Sequence, residues 1–229
     1  MNRSPTLYRL WTGFLVVAAA AQTVHPDYEG DTFWHMSLGR AVLSEHRRVI
    51  PEPLALPAFT SPAVVPEWLW DVITYGLFRA GSWPALSVFS ALLAGTVAFL
   101  CVKLVREVRP DLTLGAHLFI TGTAVASVFS RLRLRPEAAG FAFLLTFLLL
   151  SHKIARAEPH RRLPPAFALV ASVALCGQVH GTFILAPAIY LAVVVPSLVS
   201  DSRPRASLRF LASVFAGILV ALASSAYGL

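Results

Sequence analysis

The segment Glu29-Gly30-Asp31-Thr32-Phe33-Trp34-His35 gathers two carboxylates, an imidazole and two aromatic rings in one short stretch. Asp31 has the chemistry of a general base that takes a proton from an attacking hydroxyl, with Glu29 and His35 beside it as helpers. The same three side chains offer oxygen and imidazole ligands to a divalent cation, a second chemistry open to them. Without chemistry, Asp31 would serve as a helix N-cap and Trp34 as an anchor at headgroup level.

Two other groups are candidates for binding. Arg131, Arg133 and Arg135, followed by Pro136 and Glu137, place three guanidinium groups within five residues. Guanidinium suits phosphate, including that of a lipid-linked monophosphate or diphosphate, and the alternative is a set of snorkelling interfacial arginines. In Gln178-Val179-His180-Gly181, His180 could hydrogen-bond a sugar or phosphate or relay a proton. The plainer reading is a turn in which Gly181 permits a tight reversal.

The elements that position these groups follow from composition. Of 229 residues, 56% are hydrophobic and 14% charged, with a mean hydropathy of +0.67. A soluble domain carries about 25% charge, so this chain is suited to lipid. Its net charge of +7 is dispersed in short basic clusters between apolar runs, which excludes a nucleic-acid footprint and reads as orientation signals and contacts to anionic headgroups. Cys101 and Cys176 both lie in apolar runs, so neither a disulfide framework nor a thiolate metal site is expected.

The pattern predicts an all-α integral membrane protein with about seven transmembrane helices, over 7–24, 83–105, 112–130, 137–151, 164–180, 182–199 and 208–225. Ala18-Ala19-Ala20-Ala21 fits a signal-peptide cleavage site as well, but the polytopic remainder favours a retained first span. Residues 25–82 form a long external loop, and the stretch 25–66 holds five of the twelve acids and three of the seven histidines. An interfacial helix is expected from Asp31 to His46, with Trp34, Leu38, Ala41 and Val42 on one stripe and Asp31 and His35 along its edge. Pro51, Pro53, Pro57, Pro62 and Pro66 then argue against regular structure as far as Glu67. Residues 67–78 are apolar and aromatic but contain Glu67 and Asp71 and are too short to cross, so an interfacial or re-entrant segment is expected. With 67–78 not crossing, twelve basic residues fall inside and seven outside, which puts the amino terminus in the cytoplasm and the long loop outside.

Asp31-x-x-Trp34-His35, Gly39-Arg40, Pro51, Phe59-Thr60 and Glu67-Trp68-Leu69 together resemble the amino-terminal region of bacterial GT-C-type membrane glycosyltransferases. Arg135-Pro136-Glu137, His180-Gly181-x-Phe183 and Tyr227-Gly228 are similar to later motifs of that family. The resemblance implies sugar transfer from a polyprenyl-phosphate donor to an acceptor hydroxyl on the outer face of the bacterial inner membrane. It implies Asp31 as base, Glu29 and His35 as helpers, and Arg131, Arg133 and Arg135 as contacts to the donor phosphate. Glu137, His180, Glu67 and Trp68 are carried along as substrate-binding candidates, and further spans beyond Leu229 are expected. This chain departs from the family in having no second Asp near Leu54-Ala55-Leu56, and Gln178 and Ser225-Ala226 where relatives have Asn and Asn-Pro. A non-catalytic assembly partner or remnant, acting with a second membrane chain, and a lipid-phosphate-binding transporter component are the rival classes.

Overall fold

In the computed structural model, residues 5–24, 30–51, 62–198 and 204–224 are described. Glu29, Tyr227 and Gly228, as well as Phe59-Thr60, lie outside the described residues. Eight helices follow in order among them: α1 Pro5–Ala21, α2 Gly30–Glu45, α3 Trp68–Val108, α4 Leu114–Val128, α5 Pro136–Arg156, α6 Leu163–Cys176, α7 Ala186–Leu198 and α8 Pro204–Ala223. Short 3₁₀ turns at Phe129–Arg131, Pro159–Arg161 and Gly181–Leu185 precede or follow them.

The helical class agrees with the sequence. Two helices, Trp68–Val108 and Pro136–Arg156, are long and apolar enough to cross a membrane by length and composition, and shorter apolar helices cover Thr6–Ala21, Gly181–Pro196 and Leu208–Ala223. Large apolar side chains face outward on several helices, among them Phe14, Phe119, Phe167 and Val220. In water such a surface would be a liability, whereas lipid tails solvate it without cost.

The proline-rich loop is more ordered than expected. Val49–Pro51 (β1) and Pro62–Val64 (β2) pair antiparallel, with Val49 opposite Val64 and Pro51 opposite Pro62. Each proline sits at a strand end of an isolated two-stranded ladder, where its missing N–H removes no interior bond. The hairpin is tied down where Val65 N–H donates to the Arg48 carbonyl at 2.9 Å and the Arg48 guanidinium lies 5.9 Å from the Trp68 ring centroid.

α3 runs for 41 residues but is broken at Gly81 and Ser82, where Ser82 adopts φ 54° and ψ −150°. Pro84 follows; it cannot donate to a preceding turn and so begins a new helix rather than continuing the old one. The first limb, from Trp68, lies against α2, and the second packs on α1, α4 and α5. The ambiguous stretch 67–78 is therefore a separate short helical limb, and the helix expected over 83–105 begins just after the break.

Two cores share α5. On one side Leu15, Ala19, Ala94, Val97, Ala98 and Val125 pack together from α1, α3 and α4. On the other, Phe147, Leu169, Val173, Tyr190, Val214 and Ile218 join α5 to α6, α7 and α8. α5 carries Pro136 at its start with Glu137 in the first turn, and Lys153 and Arg156 in the last, an arrangement that suits both the fixed proline φ and the helix dipole.

Candidate functional site

α2 leaves one of its two chemical side chains at the surface and takes the other into the interior. Asp31, in the first turn, is exposed, while His35 is buried together with Thr32, Met36, Leu38, Gly39 and Val42. The inward stripe is therefore centred on His35, Leu38 and Val42, and Trp34 lies on the exposed side. Of the expected stripe Trp34, Leu38, Ala41 and Val42, only Leu38 and Val42 are buried, and His35, expected at its edge, is buried with them. The apolar count misplaced the stripe because the buried face is built partly from Thr32, His35 and Gly39, and is polar where it meets α3.

The carboxylate of Asp31 reaches Arg135, with Oδ2 3.1 Å from Nη2. Arg135 is the residue immediately before α5, in an extended conformation at φ −133° and ψ 151°. The arginine segment alternates: Leu132 and Leu134 are buried, while Arg131 and Arg133 are exposed and Arg135 is half-buried. The segment bends rather than extends, with the Arg135 N–H donating to the Arg133 carbonyl at 2.7 Å, and the buried leucines anchor it while Arg131 and Arg133 stay at the surface. The three arginines have different surroundings. Arg135 meets Asp31, Arg131 ends the 3₁₀ turn at the surface, and Arg133 lines a cavity of about 250 Å³ with Gln22, Thr23, Trp83, Ser87 and Ser90.

Glu137 and His180 lie one step further along. Glu137 is close enough to favour the charged form of His180, but burial dominates and lowers the imidazole pKa. The Thr182 backbone N–H donates to Nδ1 of His180 at 3.2 Å, so Nδ1 is the acceptor and Nε2 carries the hydrogen of the neutral ring. Nε2 faces Glu67, 3.8 Å from Oε1. Gly140 of α5 makes room for this arrangement, since a Cβ there would lie 2.8 Å from His180 Nδ1 and 3.0 Å from Thr182 Oγ1. Gly181, by contrast, has no positive φ and simply begins a 3₁₀ turn. The tight reversal expected of it is not what this position requires.

Gln178 joins the carboxy-terminal half to the long loop. The Trp68 indole N–H donates to its Oε1 at 2.8 Å, and the Leu69 backbone N–H donates to its carbonyl at 3.1 Å. One residue thereby accepts from one of the free N–H groups at the start of α3 and fixes the Trp68 ring.

The sequence reading noticed Asp71 only as a charge that opposes crossing. In the fold it is 1% exposed, and its Oδ1 lies 2.5 Å from Nδ1 of His35. Its second oxygen, Oδ2, has no hydrogen-bond partner, and neither do Thr32 Oγ1 or Trp70 Nε1. The signal available in sequence was an acid at helical spacing inside an apolar run, which needs a partner when buried. Nothing local identified that partner, 36 residues away.

Glu29, the third side chain of the suggested cation group, lies outside the described residues. Among the described residues, no group of three or more His, Cys, Asp or Glu side chains could hold a metal. Compared with known proteins, the chain matches no family model, no curated protein and no solved structure.

Proposed function

We propose that this chain is a GT-C-like membrane glycosyltransferase that moves a sugar from a polyprenyl-phosphate donor to an acceptor hydroxyl at the outer face of the bacterial inner membrane. One observation carries the reading: the separate segments that bear the resemblance meet in space. Asp31 touches Arg135, Glu137 influences His180, His180 faces Glu67, and Trp68 bonds Gln178. A chain using these segments only as unrelated helix ends would have no need to bring them to one place.

In this reading seven spans cross the bilayer with the amino terminus in the cytoplasm, and α2 with the first limb of α3 lies in the outer headgroup layer. Asp31 meets the acceptor hydroxyl. Arg135, and Arg133 in the lining of its cavity, meet the donor phosphate, where a planar guanidinium matches two oxygens at once. Glu67, Glu137, Trp68 and His180 shape the sugar-binding side.

The test is transfer by the purified chain, in vesicles with a polyprenyl-phosphate sugar, comparing wild type with Asp31→Asn. Loss of transfer by about 10²-fold or more, the usual weight of a proton-handling group, is expected with insertion intact. Equal turnover in both would overturn Asp31's role. Passage of label across the vesicle without a new glycosidic bond would favour a transporter, and a silent substitution with a co-purifying second chain would favour an assembly partner.

A further inference from the structure

We infer that the proton released by the acceptor comes to rest on His35, and that Asp71 is the positioning residue that prepares His35 to take it. The inference rests on the glycosyl-transfer reading above, which by itself assigns nothing to Asp71.

Three features support it. The His35 Nδ1 to Asp71 Oδ1 distance is 2.5 Å, between side chains 6% and 1% exposed. With Asp71 ionised, Nδ1–H donates to Oδ1, and the lone pair of Nε2 is left as the basic site. Nε2 takes no hydrogen bond among the described residues, so that valence remains open. Second, Asp71 Oδ2 is unpartnered. Burial pushes the Asp71 carboxyl up and the His35 contact opposes that rise, so His35 is the group that favours the carboxylate, and a proton arriving on His35 completes the ion pair. Third, the fold enforces the approach. Gly39, one helical turn beyond His35, sits against the backbone of Asp71, where any Cβ would collide with the Asp71 carbonyl.

Asp31 precedes His35 by one turn, and side chains at that spacing are neighbours on a helix surface. The acceptor O–H gives its proton through Asp31 to Nε2 of His35. The freed oxygen pair forms the bond to the anomeric carbon, while the bond from that carbon to the phosphate oxygen breaks and its electrons leave with the polyprenyl phosphate. The charged groups that bear on His35 are Asp71 from α3, and Asp31 on its own helix with Arg135 opposite.

The experiment uses the full chain in lipid nanodiscs with a polyprenyl-phosphate sugar. His35→Gly should lower kcat by about 10²-fold or more, and added imidazole should restore at least a tenth of it, which a merely structural histidine would not show. Asp71→Asn should lower kcat with KM for the donor unchanged. In the same samples, ¹⁵N shifts of labelled histidine should show the Nδ1–H tautomer of His35 in wild type and its loss in Asp71→Asn. Wild-type turnover with no imidazole rescue of His35→Gly would overturn this inference and leave the glycosyl-transfer reading standing. Absence of wild-type turnover would overturn both. If Asp71→Asn does not fold, the imidazole arm alone decides.

Discussion

Gly39 and Asp71 stand backbone to backbone, with no space between α2 and α3 for a single additional carbon. The obstacle is the Asp71 main chain, which cannot rotate aside as a flexible side-chain tip would. Gly39→Ala should therefore destabilise the fold by about 1–2 kcal/mol, overpacking outweighing the helix preference of alanine. Gly122 in α4 is the control, because a Cβ there meets nothing within 4 Å. Gly122→Ala should raise the thermal midpoint slightly, and Gly39→Ala should lower it, in the same detergent or nanodisc.

The Asp31–Arg135 contact predicts a separation of stability from function. The two side chains are 58% and 26% exposed, so solvent screens the pair and its contribution to folding is about 0–1 kcal/mol. Arg135→Ala should leave the thermal midpoint nearly unchanged and weaken binding of polyprenyl phosphate by about tenfold, the loss of one charge-assisted contact. Binding measured by titration into nanodiscs checks this, and a large fall in midpoint with unchanged binding would make Arg135 a structural residue.

His180 predicts a pH dependence. Burial lowers its pKa in the fold, and the charge of Glu137 opposes that shift without cancelling it. The unfolded chain thus binds the proton more readily, so stability is full above the unfolded value of about 6.5 and declines as pH falls through it. Protonation would also remove the Nδ1 lone pair that accepts from Thr182. The thermal midpoint of wild type should drop between about pH 7 and pH 5 by more than that of His180→Gln; parallel curves would show that other groups account for the slope.

Much of this arrangement was legible from local pattern. The helix after Asp31, the break before Pro84 and the start of α5 at Pro136 follow from proline chemistry and capping. Leu132 and Leu134 are buried between the arginines, which gives Arg131, Arg133 and Arg135 different surroundings that a count of three guanidinium groups in five residues does not convey. Asp71 and Gly39 were not legible as a site, because the contact between two helices depends on how their axes cross. The β1–β2 pairing was hidden for a similar reason, since local propensity weighs prolines without knowing that they fall at strand ends.

The proposed orientation has its own check. Exposed positions Glu45 and Ser130 should lie outside, and Asp111 and Glu158 inside. As single added cysteines, the first two should react with an impermeant maleimide in intact cells and the last two only after permeabilisation. The native Cys101 and Cys176 are buried and give a quiet background. The reverse labelling pattern would move the Asp31 face to the cytoplasm.

On the proposed topology, the interruption at Gly81 and Ser82 acts as a depth gauge. An unbroken helix of 41 residues would measure about 60 Å, roughly twice the hydrocarbon thickness of a bilayer. Divided there, its longer limb matches the bilayer, and its shorter limb can turn aside at the water boundary and carry Asp71 with it. On the proposed topology, a water-borne acceptor then approaches from above this short limb and a lipid-borne donor from below. The two substrates can meet without either leaving its own phase.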